Sequence, residues 1–69
     1  MPSTVIGDIE YEPDRERLIV TFVSGRAYEY FDVPLAVFAA FQSASSRGAF
    51  FNAHIRDHYR CREINAAGG

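Results

Sequence analysis

Two tyrosines separated by one residue, Tyr28 and Tyr30, are the side chains in this sequence whose spacing best suits contact with an aromatic ligand. In an extended strand, residues two apart point to the same side, so both rings would lie on one face of a sheet. Exposed aromatic rings on a sheet stack nucleic-acid bases, at about 1–3 kcal/mol for each base. The alternative is a place in the core, with only the hydroxyls at the rim. Hairpin pairing favours the core, because it puts the tyrosines beside Leu18, Val20 and Phe22.

Four arginines in the second half of the chain are the candidate contacts for phosphate: Arg47, Arg56, Arg60 and Arg62. Residues 33–69 carry a net charge of +2 and residues 1–32 a net charge of −4, and every basic residue is an arginine. Arg56 and Arg60 are one helical turn apart, so a helix would present them on one face. The alternative is an ordinary solvated surface, since the whole chain has a net charge of −2.

His54, His58 and Cys61 have a spacing that deserves a test for metal binding or nucleophilic catalysis. On a helix, two histidines four residues apart share a face and can ligate zinc. Catalytic zinc requires three protein ligands and structural zinc four, and no suitable carboxylate completes this set. Nothing in the sequence supplies an oxyanion site or a lowered thiol pKa for a Cys–His pair. We therefore expect no metal, no cofactor and no enzymatic activity.

The composition indicates one small domain with enough apolar residues for its own core. The chain has 69 residues, of which 48% are hydrophobic. The hydrophobic residues include six Phe and four Tyr. A single cysteine cannot form a disulfide within the chain, which fits a reducing compartment. No stretch approaches the roughly 20 apolar residues that a membrane helix needs, and the first residues do not resemble a signal peptide. These features predict a soluble cytoplasmic protein without a membrane partner.

Three strands are predicted in the first half of the chain. In the first, Val5, Gly7, Ile9 and Tyr11 alternate with a second set of residues: Ile6, Asp8, Glu10 and Glu12. The second covers Leu18 to Val23 and the third follows Gly25. A three-residue loop, Val23 to Gly25 with a left-handed Gly25, would pair Phe22 with Arg26, Val20 with Tyr28 and Leu18 with Tyr30. This register collects the apolar side chains on one face, so we prefer it to a two-residue loop.

Two helices are predicted in the second half. Pro34 suits the first helical position, with Asp32 or the backbone nearby as the cap. The apolar stripe of the first helix consists of Leu35, Phe38, Phe41 and Ala44, widened by Val37 and Ala40. Gly48 is expected to end this helix, and Phe51, Ile55 and Tyr59 share a face of the second. The predicted fold is α+β, a three-stranded antiparallel meander followed by two α-helices, over residues 1–64 with a flexible tail at 65–69.

The order of these features resembles the KTSC domain family. The matching residues run from Tyr28-Glu29-Tyr30 and Val33-Pro34 through Ala44-Ser45-Ser46-Arg47-Gly48-Ala49-Phe50-Phe51-Asn52 to Ile55-Arg56. The resemblance covers about residues 3–60 and implies a small module that occurs at the C-terminus of some lysyl-tRNA synthetases and alone in bacteria and phages. RNA binding has been suggested for that family. The absence of lysine and the net negative charge depart from the basic surface that RNA binding would favour.

Two functions remain as alternatives. The first is a non-catalytic module that binds RNA or DNA through the four arginines named above together with Tyr28 and Tyr30. The second is a protein-interaction or self-assembling adaptor. It would use the sheet face opposite the tyrosines, where a large apolar surface would be formed by Ile19, Thr21, Val23 and Phe31.

Overall fold

The computed structural model describes residues 6–64, which form a four-stranded antiparallel sheet with helices on one of its faces. The strands are β1 (Ile6–Glu12), β2 (Arg17–Phe22), β3 (Ala27–Tyr30) and β4 (Cys61–Ile64), in the order β1-β2-β3-β4. Between β3 and β4 lie helix α1 (Leu35–Ser43) and helix α2 (Arg47–Phe50), and α2 continues into a π-helical turn (Phe51–Ile55). The predicted α+β class and the two helices are confirmed, and the predicted tail at 65–69 lies outside the described residues.

The prediction of three strands is wrong, because β4 returns to pair with β3. Its register sets Tyr30 opposite Cys61 and Tyr28 opposite Glu63. This strand has only four residues, three of them exposed, so its sequence shows no alternation between apolar and polar side chains. Backbone hydrogen bonding to β3, which sequence periodicity does not report, is what makes the segment a strand.

The hairpin between β2 and β3 has the predicted register. Leu18 pairs with Tyr30 and Val20 pairs with Tyr28. The amide of Phe22 donates to the carbonyl of Arg26 at 2.8 Å, which closes the three-residue loop. Gly25 has a φ of 100°, a conformation that a glycine adopts without steric cost. Both tyrosines therefore lie on the same face of the sheet as Leu18, Val20 and Phe22.

Strand β1 departs from the predicted alternation because a bulge interrupts it. The register with β2 shifts between Ile6 and Asp8, so Ile6, Ile9 and Tyr11 all pack against the core. A Cβ atom at Gly7 would lie 3.2 Å from the carbonyl oxygen of Thr21, so this position favours glycine. Val5, which the simple alternation grouped with Ile9, lies outside the described residues.

Helix α1 begins one residue later than predicted. Pro34 is the N-cap residue, with extended φ and ψ angles and no capping side chain, and Leu35 is the first helical residue. Asp32 lies outside the helix with a φ of 59°. Of the predicted stripe, Phe41 is fully buried and Phe38 packs beside it, whereas Leu35 is 58% exposed. The helix thus packs against the core through Val37, Phe38 and Phe41, whereas its first residue is exposed.

The prediction that Gly48 ends α1 is wrong, because Gly48 lies within helix α2. Ser46 caps α2, since its hydroxyl accepts a hydrogen bond from the amide of Ala49 at 3.2 Å. The helical turns end at Ile55, so Tyr59 is no longer on the helix although it still packs against the core. The buried core consists of Leu18, Val20, Tyr30, Val33, Phe41, Phe51 and Ile55. No helix among residues 6–64 is long and apolar enough to cross a membrane.

Candidate functional site

A groove of about 740 Å³ opens between the β2–β3 loop, strand β4 and the end of the π-helical turn. We call it the aromatic groove. Its aromatic lining is formed by four side chains: Phe22, Tyr28, Tyr30 and Phe51. Polar groups line it as well: Arg26, Arg56, Asp57 and Cys61. The tyrosine pair is therefore next to charged residues from two other segments, the β2–β3 loop and the turn after the π-helical residues.

The four aromatic rings pack edge to face. The ring centroid of Phe22 is 5.8 Å from that of Tyr28 and 5.4 Å from that of Phe51. The ring of Tyr30 also meets Phe51, with centroids 5.6 Å apart. Edge-to-face pairs of this kind add about 0.5–1.5 kcal/mol each beyond burial, so the rings hold one another in place. The groove therefore has a preorganised aromatic wall.

The two tyrosines differ in exposure. Tyr30 is 5% exposed and belongs to the buried core, whereas Tyr28 is half-buried at its margin. Burial raises the pKa of Tyr30 above its usual range, and the Cys61 thiol on the neighbouring strand adds to this effect. The core interpretation thus holds for Tyr30. Tyr28 is the more exposed of the two tyrosines that line the groove.

The backbone turns sharply where the helical turns end. Arg56 has φ and ψ angles of −58° and 128°, so the chain leaves the helix at this residue. Asp57 follows with a φ of 65°, a left-handed conformation that aspartate tolerates better than most residues. This turn brings the arginine and the aspartate to the groove side by side.

The structure does not bring the four predicted arginines together. Because the helical turns end at Ile55, Arg56 and Arg60 do not share a helical face, and the prediction from their spacing is wrong. Arg60 precedes β4, where its carbonyl accepts a hydrogen bond from the amide of Phe31 at 2.9 Å. Arg47 is the first residue of α2 and is exposed. Only Arg56 of this set lines the groove.

The fourth arginine, Arg62, lies on the sheet face opposite the helices, which we call the open face. Its Nε donates to Oε1 of Glu29 at 3.0 Å. Arg17 donates from Nη1 to the other oxygen of the same carboxylate, and its guanidinium lies 5.7 Å from the centroid of the Phe31 ring. Glu29 is only 5% exposed, so two arginines clamp and cover a carboxylate at the middle of this face. Sequence analysis missed this cluster.

The predicted interaction residues are only partly on the open face. Ile19 pairs with Glu29 and Thr21 pairs with Ala27, so both lie there, and each is half-buried. Val23 does not, because β2 ends at Phe22 and Val23 belongs to the hairpin loop. It is 67% exposed and lines the aromatic groove. The prediction that Val23 lies on the open face is wrong, because it assumed that the strand continues to Val23.

The histidines do not form a site with Cys61. The ring of His54 packs against Phe50 with centroids 4.7 Å apart. His58 lies beyond the end of the helical turns, so the predicted shared face does not exist. Within residues 6–64, no group of three or more His, Cys, Asp or Glu is arranged to hold a metal ion.

Comparisons with known proteins place these features in a family. The family model of the KTSC domain matches residues 2–59. The crystal structure of a KTSC domain protein from Yersinia pestis superposes with a TM-score of 0.85 at 36% identity, covering 93% of this chain and 90% of that one.

Two kinds of curated relative are similar to the chain. An uncharacterized protein of Stutzerimonas stutzeri is 36% identical over 66 residues, which cover 94% of this chain and 93% of that protein. A lysine–tRNA ligase of Nostoc sp. is 36% identical over 55 residues, which cover 80% of this chain but 10% of the ligase. The chain thus spans about a tenth of the length of the ligases it matches.

Proposed function

We propose that this chain, which belongs to the KTSC domain family, is a small non-catalytic module that binds single-stranded RNA in the aromatic groove. The observation that carries the proposal is the meeting of a half-buried tyrosine ring with two arginines. Tyr28 forms part of the groove wall, and Arg26 and Arg56 line the same groove. Proteins that bind single strands combine these two elements, an aromatic ring for the base and cations for the backbone.

The aromatic wall suits stacking with a nucleic-acid base. Stacking accepts any base, since every base has an aromatic face, and the fixed edge-to-face packing around Tyr28 lowers the entropy lost on binding. The exposed Val23 adds apolar surface at the groove. The relatives named lysine–tRNA ligases support RNA over DNA, because their printed names include an RNA substrate.

The net charge of −2 does not argue against a local contact with phosphate. On the described surface, Arg26 is 69% exposed in its side chain and makes only a 4.0 Å pair with Glu63. Such an exposed pair contributes little, so Arg26 remains available to a phosphate. The proposal therefore predicts weak binding whose salt dependence corresponds to a few phosphate contacts, rather than the tight binding of a basic protein.

The test is fluorescence anisotropy of a labelled single-stranded RNA of mixed sequence, titrated with protein at several salt concentrations. Replacing Arg56 with Ala should flatten the plot of log affinity against log salt by about 0.7, the contribution of one phosphate contact in a single strand. Tyr28→Ala should weaken binding by roughly 5- to 150-fold, since one stack contributes about 1–3 kcal/mol. Tyr28→Phe retains the ring and should bind almost as the unmodified chain does.

A matched control for charge is Arg15→Ala. Arg15 lies in the loop between β1 and β2, at the opposite end of β2 from the groove, and is exposed. This variant loses the same charge and should leave the salt dependence unchanged. Absence of any RNA binding at low salt would refute the proposal. Equal effects of Arg56→Ala and Arg15→Ala would show that the RNA does not bind in the aromatic groove.

A second candidate is a protein-interaction or self-assembling module that uses the open face. The observation in its favour is that Ile19 and Phe31 are apolar and only half-buried there. The Glu29 cluster occupies the centre of that face and reduces its continuous apolar area, so we rank this candidate second. Light scattering tests it: a dimer that Ile19→Glu dissociates would favour it, and a monomer would exclude self-assembly.

A further inference from the structure

Arg56 and Asp57 place a cation and a carboxylate next to each other at the aromatic groove. A groove that only followed a phosphate backbone would gain nothing from the carboxylate, because like charges repel. Among residues 6–64, Asp57 takes part in none of the ion pairs, which join Arg17, Arg26 and Arg62 to glutamates. The aspartate is therefore available to a ligand that carries hydrogen-bond donors.

The backbone at Asp57 has a defined conformation. With a φ of 65°, Asp57 is left-handed and lies in the turn directly after the last helical residue, Ile55. The amide of His58 donates to the carbonyl of Ile55 at 3.0 Å, which closes the turn around Asp57. A non-glycine residue in this conformation costs free energy unless its surroundings select it, and such residues cluster at ligand sites.

From this arrangement we infer that the groove selects guanine, and the inference rests on the proposed function of RNA binding. Guanine has two neighbouring donors, N1–H and N2–H, on its Watson–Crick edge, and two neighbouring acceptors, O6 and N7, on its Hoogsteen side. A carboxylate accepts from the first pair and a guanidinium donates to the second. Adjacent Asp and Arg side chains supply both groups.

The other bases do not offer this combination. Adenine and cytosine each have one exocyclic amino group next to a ring acceptor, and uracil has one ring N–H between two carbonyl oxygens. None of them presents two adjacent donors to Asp57, so each would leave a carboxylate oxygen unpaired in the groove. Stacking on Tyr28 holds any base in place, whereas the edge contacts distinguish guanine.

The inference is tested with four labelled 9-mers: an all-uridine RNA and three RNAs in which the central uridine is replaced by guanosine, adenosine or cytidine. The guanosine 9-mer should bind roughly 5- to 150-fold more tightly than the other three, which is the discrimination that one bidentate base contact gives. In Asp57→Asn, the preference for the guanosine 9-mer over the adenosine 9-mer should fall by about 5-fold or more, and the contact of Arg56 with O6 and N7 accounts for the preference that remains. Asparagine tolerates the left-handed backbone, so this change preserves the turn.

The matched control is Asp14→Asn, which removes the same charge from the exposed loop between β1 and β2 and should retain the guanine preference. Equal binding of all four 9-mers by the unmodified chain would overturn guanine selection while the proposed RNA binding stands. Retention of the full preference in Asp57→Asn would overturn the role of Asp57. Failure of every 9-mer to bind at low salt would overturn the proposed function itself.

Discussion

The buried carboxylate of Glu29 should be the most sensitive charged position for stability. Its two oxygens accept hydrogen bonds from Arg17 and Arg62, and the residue is 5% exposed. Glu29→Gln keeps the shape of the side chain but removes the charge that both arginines face. The change should be costly, because a charged group that loses its partner inside the protein is not compensated by water.

The magnitude follows from the exposure of the two partners. Losing one partner of a fully buried pair costs about 3–5 kcal/mol. The Arg17 side chain is 26% exposed, and water partly replaces the lost contact, so we expect a smaller loss, of about 2–3 kcal/mol. The Arg62 side chain is 68% exposed and should add less than about 1 kcal/mol. For a domain of this size, Glu29→Gln should lower the melting temperature by roughly 10–20 °C.

The assay is urea unfolding followed by circular dichroism, with Glu12→Gln as the matched control. Glu12 also forms an ion pair with Arg17, but its Oε1 lies 3.9 Å from Nε of Arg17 and its side chain is 50% exposed. The control and Arg62→Ala should each change the free energy of unfolding by less than about 1 kcal/mol. Equal losses for Glu29→Gln and Glu12→Gln would refute the argument that burial sets the strength of the cluster.

Three further outcomes are expected. Because burial raises the pKa of Tyr30 above its usual value of about 10, the folded chain retains a proton that the unfolded chain loses. The free energy of unfolding should therefore fall as the pH rises past about 10, and less steeply in Tyr30→Phe, as urea titrations would measure. Tyr11→Phe removes a 2.6 Å hydrogen bond to the carbonyl of Val33 and should cost about 1 kcal/mol in the same assay. A bulky maleimide on the sole cysteine, Cys61, should weaken RNA binding by about tenfold or more, and treated Cys61→Ser should be unaffected.

The hairpin and its tyrosine pair could be predicted from the sequence because their signals are local. The parity of Leu18, Val20, Tyr28 and Tyr30 and the glycine at position 25 together determine one register, which the structure has. The face of α1 that packs against the core is likewise set by the spacing of Phe38 and Phe41. These elements depend on contacts between residues close in the chain.

The elements that sequence analysis missed depend on contacts between distant residues. Strand β4 forms because its backbone pairs with that of β3. Its four residues are mostly exposed and show no periodicity of their own. The helical turns end at Ile55 although the apolar spacing continues to Tyr59, because the chain must turn back toward β3. The bulge at Gly7 shifts the alternation of β1 by one residue, and the isolated glycine was its only local signal.

The candidate site shows the same division. Tyr28 and Arg56 could be chosen from their residue types, because an aromatic ring can stack on a base and an arginine can bind a phosphate. Asp57 lies at the groove because the helical turns end before it, and the apolar spacing of the sequence did not predict that end. Glu29 lies between the two tyrosines, and the alternation along a strand gives no signal that a carboxylate there is buried. Its burial results from arginines 12 residues before it and 33 residues after it.

The most direct test of the central claim is to locate the bound RNA on the surface by a ¹H–¹⁵N NMR titration at low salt. The guanosine 9-mer should shift the backbone amide signals of Tyr28, Arg56 and Asp57, which belong to the aromatic groove, and leave those of Ile19 and Arg62 on the open face unchanged. Shifts confined to the open face, or no shifts at all, would contradict the account.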